Sequence, residues 1–122
     1  MFAYSFAWWT WKEWEPFIDW LALNGFNMVL APLGQELLWY ELYESISIPE
    51  ADILKFFTGP AFLPWHRMGK LHGMGGGLSV AYMRNQFELN KKIVARLTAL
   101  GIVPVLPTFA GYVPEAFLRI LP

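Results

Sequence analysis

The sequence predicts an α/β domain built on parallel strands joined by crossover helices, and three observations carry that prediction. Short, wholly apolar runs alternate with longer segments of helical period. Those runs, Phe26–Ala31 and Ile102–Leu106, are bounded by Gly25 and Pro32 and by Gly101 and Pro107. Continuous apolar strands of this length belong to sheets covered on both faces, which parallel crossover folds provide. Aromatic and polar residues collect just beyond the strand ends, where such folds keep their ligand side.

Each element has a local reason. Residues 1–10, with Tyr4, Ser5, Phe6, Trp8 and Trp9, read as the end of a strand and a loop. Thr10-x-x-Glu13 matches a capping box, and Trp14, Ile18, Leu21 and Ala22 then share a helical face. Pro16 conflicts with a start at Thr10, because it removes a hydrogen bond in the second turn. The helix therefore either kinks there or becomes regular near Trp14. Asn24-Gly25 stops it. After the first apolar run, Pro32–Gln35 turns the chain into a second helix, about Glu36 to Ser45. Ser47-x-x-Glu50, with Pro49 in the first turn, caps a third that ends near Phe57. A long helix from about Ser79 to Leu100 follows, with Met83, Phe87, Asn90, Val94 and Leu97 on one face. Pro104 in the second apolar run requires its nitrogen to face away from a ladder partner, or to sit at the strand start. A loop, Thr108–Tyr112, and a short helix from about Pro114 complete the series.

At 122 residues the chain is at most one domain, taken as residues 1–122, with a modest core. It is 56% hydrophobic, 18% aromatic and 16% charged, which is apolar for a free-standing soluble domain. A membrane span does not explain this. The richest stretch, Trp20–Tyr40, is broken by Asn24, Asn27, Gln35 and Glu36, and no run of about 18 apolar residues exists. A piece of a larger core does explain it. The formal charge of −1 leaves no footprint for nucleic acid or an acidic membrane. With no cysteine, disulfides and thiolate metal sites are excluded. No signal peptide is read at the N-terminus, which says little for a chain that looks truncated.

The segment Phe57–Gly69, followed by Lys70-Leu71-His72, has neither helical nor strand period yet carries two prolines, three aromatics, Arg67 and Met68. Ordered, aromatic-rich connections of this kind line something. Trp65 suits a sugar platform, since an indole face packs on the C–H face of a pyranose; loop core is the plainer alternative. Arg67 looks like a phosphate or carboxylate clamp, but one arginine amid aromatics more often braces a loop by bonding its carbonyls. His66 and His72, six apart with no carboxylate between them, do not make a metal pair. Gly73-Met74-Gly75-Gly76-Gly77 lacks the residues of a phosphate loop and suits mobility or close backbone approach, with a flexible hinge as the preferred reading. Glu15 and Asp19, like Glu41, Glu44, Lys91 and Lys92, read as solvated helix faces. The cluster Trp8, Trp9, Trp11, Trp14 and Trp20 reads as core or interhelical packing rather than a carbohydrate-binding module.

Four stretches, YSFAWWTW, ALNGFNMVLAPLGQE, FFTGPAFLPWHRMGKLH and VPVLPTFAGYVPEA, resemble the alpha-N-acetylglucosaminidases, family 89 of the glycoside hydrolases. The likeness covers nearly the whole chain, with the motifs in order. It implies a partial (β/α)8 TIM barrel, of which this chain supplies early βα units. It also implies retaining removal of terminal N-acetylglucosamine from heparan sulfate, a lysosomal setting in animals, and no metal or organic cofactor. Retention needs two carboxylates about 5–5.5 Å apart. In the family both are glutamates on later strands, and an Asn and a Cys of the sugar pocket lie on the first strand, so neither group is expected within this chain. Its partners would be the glycan and the remainder of the barrel, with a homo-oligomer as an option. The alternative, from a different class, is a non-catalytic sugar-binding or scaffold protein derived from the same barrel. Pro64, Met74 and Thr10 stand where the family more often has Ala, Trp and Asp.

The site residues expected here are Trp65, Met68, Tyr4, Gln35, Glu36 and His72. Trp65 matches a family residue that lines the N-acetylglucosamine pocket; Met68 and His72 lie near it along the same motif. Gln35 and Glu36 follow a strand end directly, where barrel enzymes place polar ligands. Glu36 equally suits the first turn of the next helix, where a negative charge meets the helix dipole. Tyr4 ends the first expected strand. No residue of this chain is expected to be catalytic, and none to bind metal.

Overall fold

The computed structural model describes residues 6–120. In chain order it forms α1 (Trp11–Leu23), β1 (Met28–Leu30), α2 (Gln35–Ser45), α3 (Glu50–Phe56), a 3-10 turn (Pro60–Phe62), α4 (Leu63–Arg67), α5 (Val80–Ala99), β2 (Val103–Val105) and α6 (Phe117–Ile120). The strands pair in parallel, with Met28 opposite Val103 and Leu30 opposite Val105. Helices fill the connection between them, as parallel pairing demands. This is a fragment of an α/β fold consistent with part of a barrel.

The Thr10–Glu13 signal places the start of α1. The Glu13 carboxylate accepts from the Thr10 N–H at 2.8 Å and from its hydroxyl at 2.6 Å, and those bonds hold the Glu13 carboxyl below the usual range. Pro16 sits inside this helix without displacing its start. The carbonyl it would leave unpaired belongs to exposed Lys12, where water can replace the missing donor. α5 begins where Ser79 Oγ accepts from the Tyr82 N–H at 3.1 Å. Its buried residues are Met83, Ile93 and Leu97, with Phe87, Asn90 and Val94 half-buried on the same face.

Two apolar clusters result. One joins α1, α5 and the helix-facing side of the sheet through Trp14, Ile18, Leu21, Ala31, Ile93 and Leu97. The other joins α2, α3 and the chain beyond them through Trp39, Tyr43, Ile53, Phe57, Leu63 and Met83. Trp14 is core and Trp9 stacks at 4.0 Å on Phe6, but Trp8 is 66% exposed and so lies outside the expected packing. Asp19 does not simply face solvent: it accepts from Arg96 Nε and Nη2 at 2.9 and 2.7 Å, tying α1 to α5.

Three expectations are corrected. The strands are three residues each, and they are covered on one face only. Alternation turns Val29 and Pro104 toward the helices, while Met28, Leu30, Val103 and Val105 stand exposed together on the other face. The segment after Phe57 is more regular than its sequence period, because Pro60 and Pro64 open successive single turns. The glycine run serves close approach rather than a hinge. The Gly59 N–H donates to the Met74 carbonyl at 2.8 Å, and a Cβ on Gly59 would come 2.2 Å from the Gly75 oxygen. Pro104 agrees with expectation. The Val103 N–H donates to Asn27 and Val105 accepts from Ala31, so the intervening nitrogen points away from β1.

An apolar sheet face of this kind promotes association. The isolated chain is therefore expected to sediment with a concentration-dependent mass above that of one copy. A compact, monodisperse monomer would contradict it.

Candidate functional site

The carboxyl ends of both strands open into one cleft of about 270 Å³. Its floor and walls are Leu30 and Pro32 after β1, Gln35 at the start of α2, Pro64, Arg67 and Met68 from α4, and Pro107, Thr108 and Ala110 after β2. Three loops distant in sequence converge because parallel strands discharge all their connections at one end. The lining is mostly apolar, with Gln35, Arg67 and Thr108 as its polar groups. That is the usual constitution of a small-molecule site.

Gln35 and Glu36 are neighbours with different surroundings. One helical step of about 100° turns Gln35 into the cleft and Glu36 behind it. Glu36 is 1% exposed. Arg67 Nε donates to its Oε1 at 2.7 Å and Nη2 to its Oε2 at 3.1 Å, a two-pronged pair. Arg67 thus braces a carboxylate, not the loop carbonyls expected of it. Nothing local in the sequence signals a partner 31 positions away. Pro107, Thr108 and Ala110 belong to the stretch Pro107–Tyr112 that the sequence places at the ligand end of the strands, although none of them is among the expected site residues.

Met68 is 49% exposed and lines the cleft, its carbonyl accepting from the Tyr112 hydroxyl at 3.3 Å. Tyr112 is held in turn by Tyr43, whose hydroxyl donates to its carbonyl at 2.7 Å. Burial pushes the Tyr43 phenol up to about 12, so it remains a donor. Trp65 sits on the same turn, 36% exposed, beside the cleft but not among its lining residues. Tyr4 lies outside the described residues.

His72 is placed elsewhere. It opens on a separate groove with Asp52, Lys55, Val113 and Arg119. Its ring stacks on Phe56 at 4.8 Å, and its Nδ1 lies 3.4 Å from Nδ1 of His66. His66 is fully buried among Trp39, Phe56 and Phe57. Burial, then the neighbouring His72, lowers its pKa from 6.5 to about 4. The native state therefore refuses a proton that the unfolded chain takes up below about 6.5, so stability is complete above that pH and falls as pH drops toward 4. The urea midpoint is expected to decline across this window, and His66→Leu to flatten the decline. An unchanged pH slope in that variant would refute the assignment. Among the described residues no group of three or more His, Cys, Asp or Glu side chains could hold a metal ion.

A sequence model of the family described as the alpha-N-acetylglucosaminidase tim-barrel domain matches residues 1–122. The chain belongs to this family. It is 48% identical over 120 residues to the human protein named alpha-N-acetylglucosaminidase, covering 98% of this chain and 16% of the human one. A family 89 glycoside hydrolase from Clostridium perfringens, solved with 2-acetamido-1,2-dideoxynojirmycin, superposes with a TM-score of 0.92 at 32% identity. That match spans 98% of this chain and 14% of the bacterial one. A Clostridium perfringens form with two Glu-to-Gln changes, in complex with its substrate GlcNAc-alpha-1,4-galactose, gives 0.91 at 33% identity, spanning 98% and 13%. The chain thus spans 13 to 16% of the length of these relatives.

Proposed function

We propose that residues 1–122 contribute early βα units of the catalytic barrel of a retaining alpha-N-acetylglucosaminidase, and that the cleft beyond β1 and β2 is one wall of its sugar site. The observation that carries this is the position of that cleft at the carboxyl ends of both parallel strands, in a chain that superposes on hydrolases solved with N-acetylglucosamine-type ligands. Met68 and Gln35 would face the sugar, Trp65 would offer an aromatic edge, and Tyr4 would join them from the first strand. Of the expected residues, Glu36 is turned toward Arg67 and His72 toward another groove, so neither is assigned to the sugar wall.

The chemistry is assigned to other parts of the barrel. Retention needs an acid/base carboxyl and a nucleophilic carboxylate about 5–5.5 Å apart. Among the described residues no carboxylate lines this cleft, and the nearest in sequence, Glu36, is occupied by a guanidinium. Two glutamates are changed in the relative whose complex contains its substrate, which supports a pair of glutamates as the reacting groups there. By analogy with animal members the complete protein would act on heparan sulfate termini in the lysosome.

The same lack of acids supports the second reading, a sugar-binding or scaffold protein derived from the barrel. The chain alone is expected to show no turnover of a chromogenic alpha-N-acetylglucosaminide. It is expected to give a saturation-transfer signal with N-acetylglucosamine that weakens in Trp65→Ala. Turnover would move the reacting acids into this chain; no sugar signal at all would remove the wall from this cleft.

A further inference from the structure

α4 is five residues long, too short to hold its own direction, and no side chain caps it. Its attitude must come from outside contacts. One of these stands out for burial and geometry. Glu36, in the first turn of the eleven-residue α2, meets both Nε and Nη2 of Arg67 at the end of α4. The guanidinium is planar and its two bonds are nearly parallel, so the pair fixes an angle as well as a distance. Four residues separate the end of β1 from the start of α2 at Gln35. The pair therefore links the strand end to the turn that carries Trp65 and Met68. The side chains are 12% exposed for Arg67 and 1% for Glu36, so solvent competes little for those bonds.

We propose that Glu36 is a positioning residue: through Arg67 it sets the angle at which α4 presents Trp65 and Met68 to the cleft. This rests on the reading of the cleft as a sugar wall, and it assigns Glu36 a role distinct from ligand contact. A lysine at position 67 would keep the charge but lose the fork, so it would not serve. α4 is also held by Leu63 and His66, buried in the aromatic core, and by the Tyr112 hydroxyl on the Met68 carbonyl. The Glu36–Arg67 pair adds a two-pronged hydrogen bond to the strand-end side of the turn.

The test uses the full chain labelled with 5-fluorotryptophan, with the Trp65 resonance identified by Trp65→Phe. Glu36→Gln and Arg67→Lys are each expected to move or broaden that resonance under conditions where the chain stays folded. Trp14 and Trp20, on α1, should keep their positions. N-acetylglucosamine affinity is expected to fall roughly tenfold in both variants, the scale of one lost charge-assisted hydrogen bond. A merely stabilising pair would lower the urea midpoint and leave the native Trp65 resonance where it was, and that result overturns the proposal. So would restoration of the parent spectrum by Arg67→Lys. Should Glu36→Gln fail to fold, Arg67→Lys decides alone. If the parent chain gives no sugar signal, the cleft reading fails, while the Trp65 resonance still decides whether the pair positions α4.

Discussion

Gly34→Ala is expected to lower stability by about 2–5 kcal/mol, the sum of a left-handed backbone and an overpacked contact. Gly34 has φ +76°, and a Cβ built there would lie 2.5 Å from the Phe87 Cα and 2.8 Å from its nitrogen. Those atoms belong to the backbone of α5, which cannot step aside as a side chain can. Gly34 also precedes Gln35, so the loop joining β1 to the cleft would be displaced with it. Gly25→Ala separates the two causes, because Gly25 has φ +78° with nothing within 4 Å of its Cβ. That variant is expected to cost only the conformational part, about 1–2 kcal/mol. Urea unfolding followed by tryptophan fluorescence, at matched protein concentration, gives both values. Equal losses would mean that α2 does not rest against α5 as described.

The second large effect is expected of Arg67→Leu. It leaves the Glu36 carboxylate buried without its partner, and breaking a buried pair from one side costs about 3–5 kcal/mol. Removing both members with Glu36→Leu and Arg67→Leu together is expected to recover most of that loss, because no uncompensated charge then remains. The double-mutant cycle is the measurement. Additive losses, with the double variant worse than either single one, would show that the two side chains do not act as a unit.

Much of this fold is legible along the chain because its causes are local. The Thr10–Glu13 box starts α1, the 3.6-residue spacing of Trp14, Ile18 and Leu21 picks its buried face, and Gly25 and Gly101 stop their helices. Parallel pairing follows from two apolar runs separated by helices, and the ligand end follows from that topology. The glycine run was harder to read. Glycine serves a mobile hinge and a close backbone contact equally well, and only the Gly75 carbonyl lying against Gly59 distinguishes them.

By itself the sequence determined the family, the extents of α2, α3 and α5 and the strand-end location of the cleft, since each is written in contiguous residues or short periods. Tertiary structure alone decided which neighbours share a task. It put Gln35 in the cleft and Glu36 behind it, gave Glu36 a partner 31 positions on, and turned His72 to a different groove. It also left Met28, Leu30, Val103 and Val105 uncovered on the sheet. The physical reason is that period and composition report what a segment wants to bury, whereas partners are fixed by where distant segments meet.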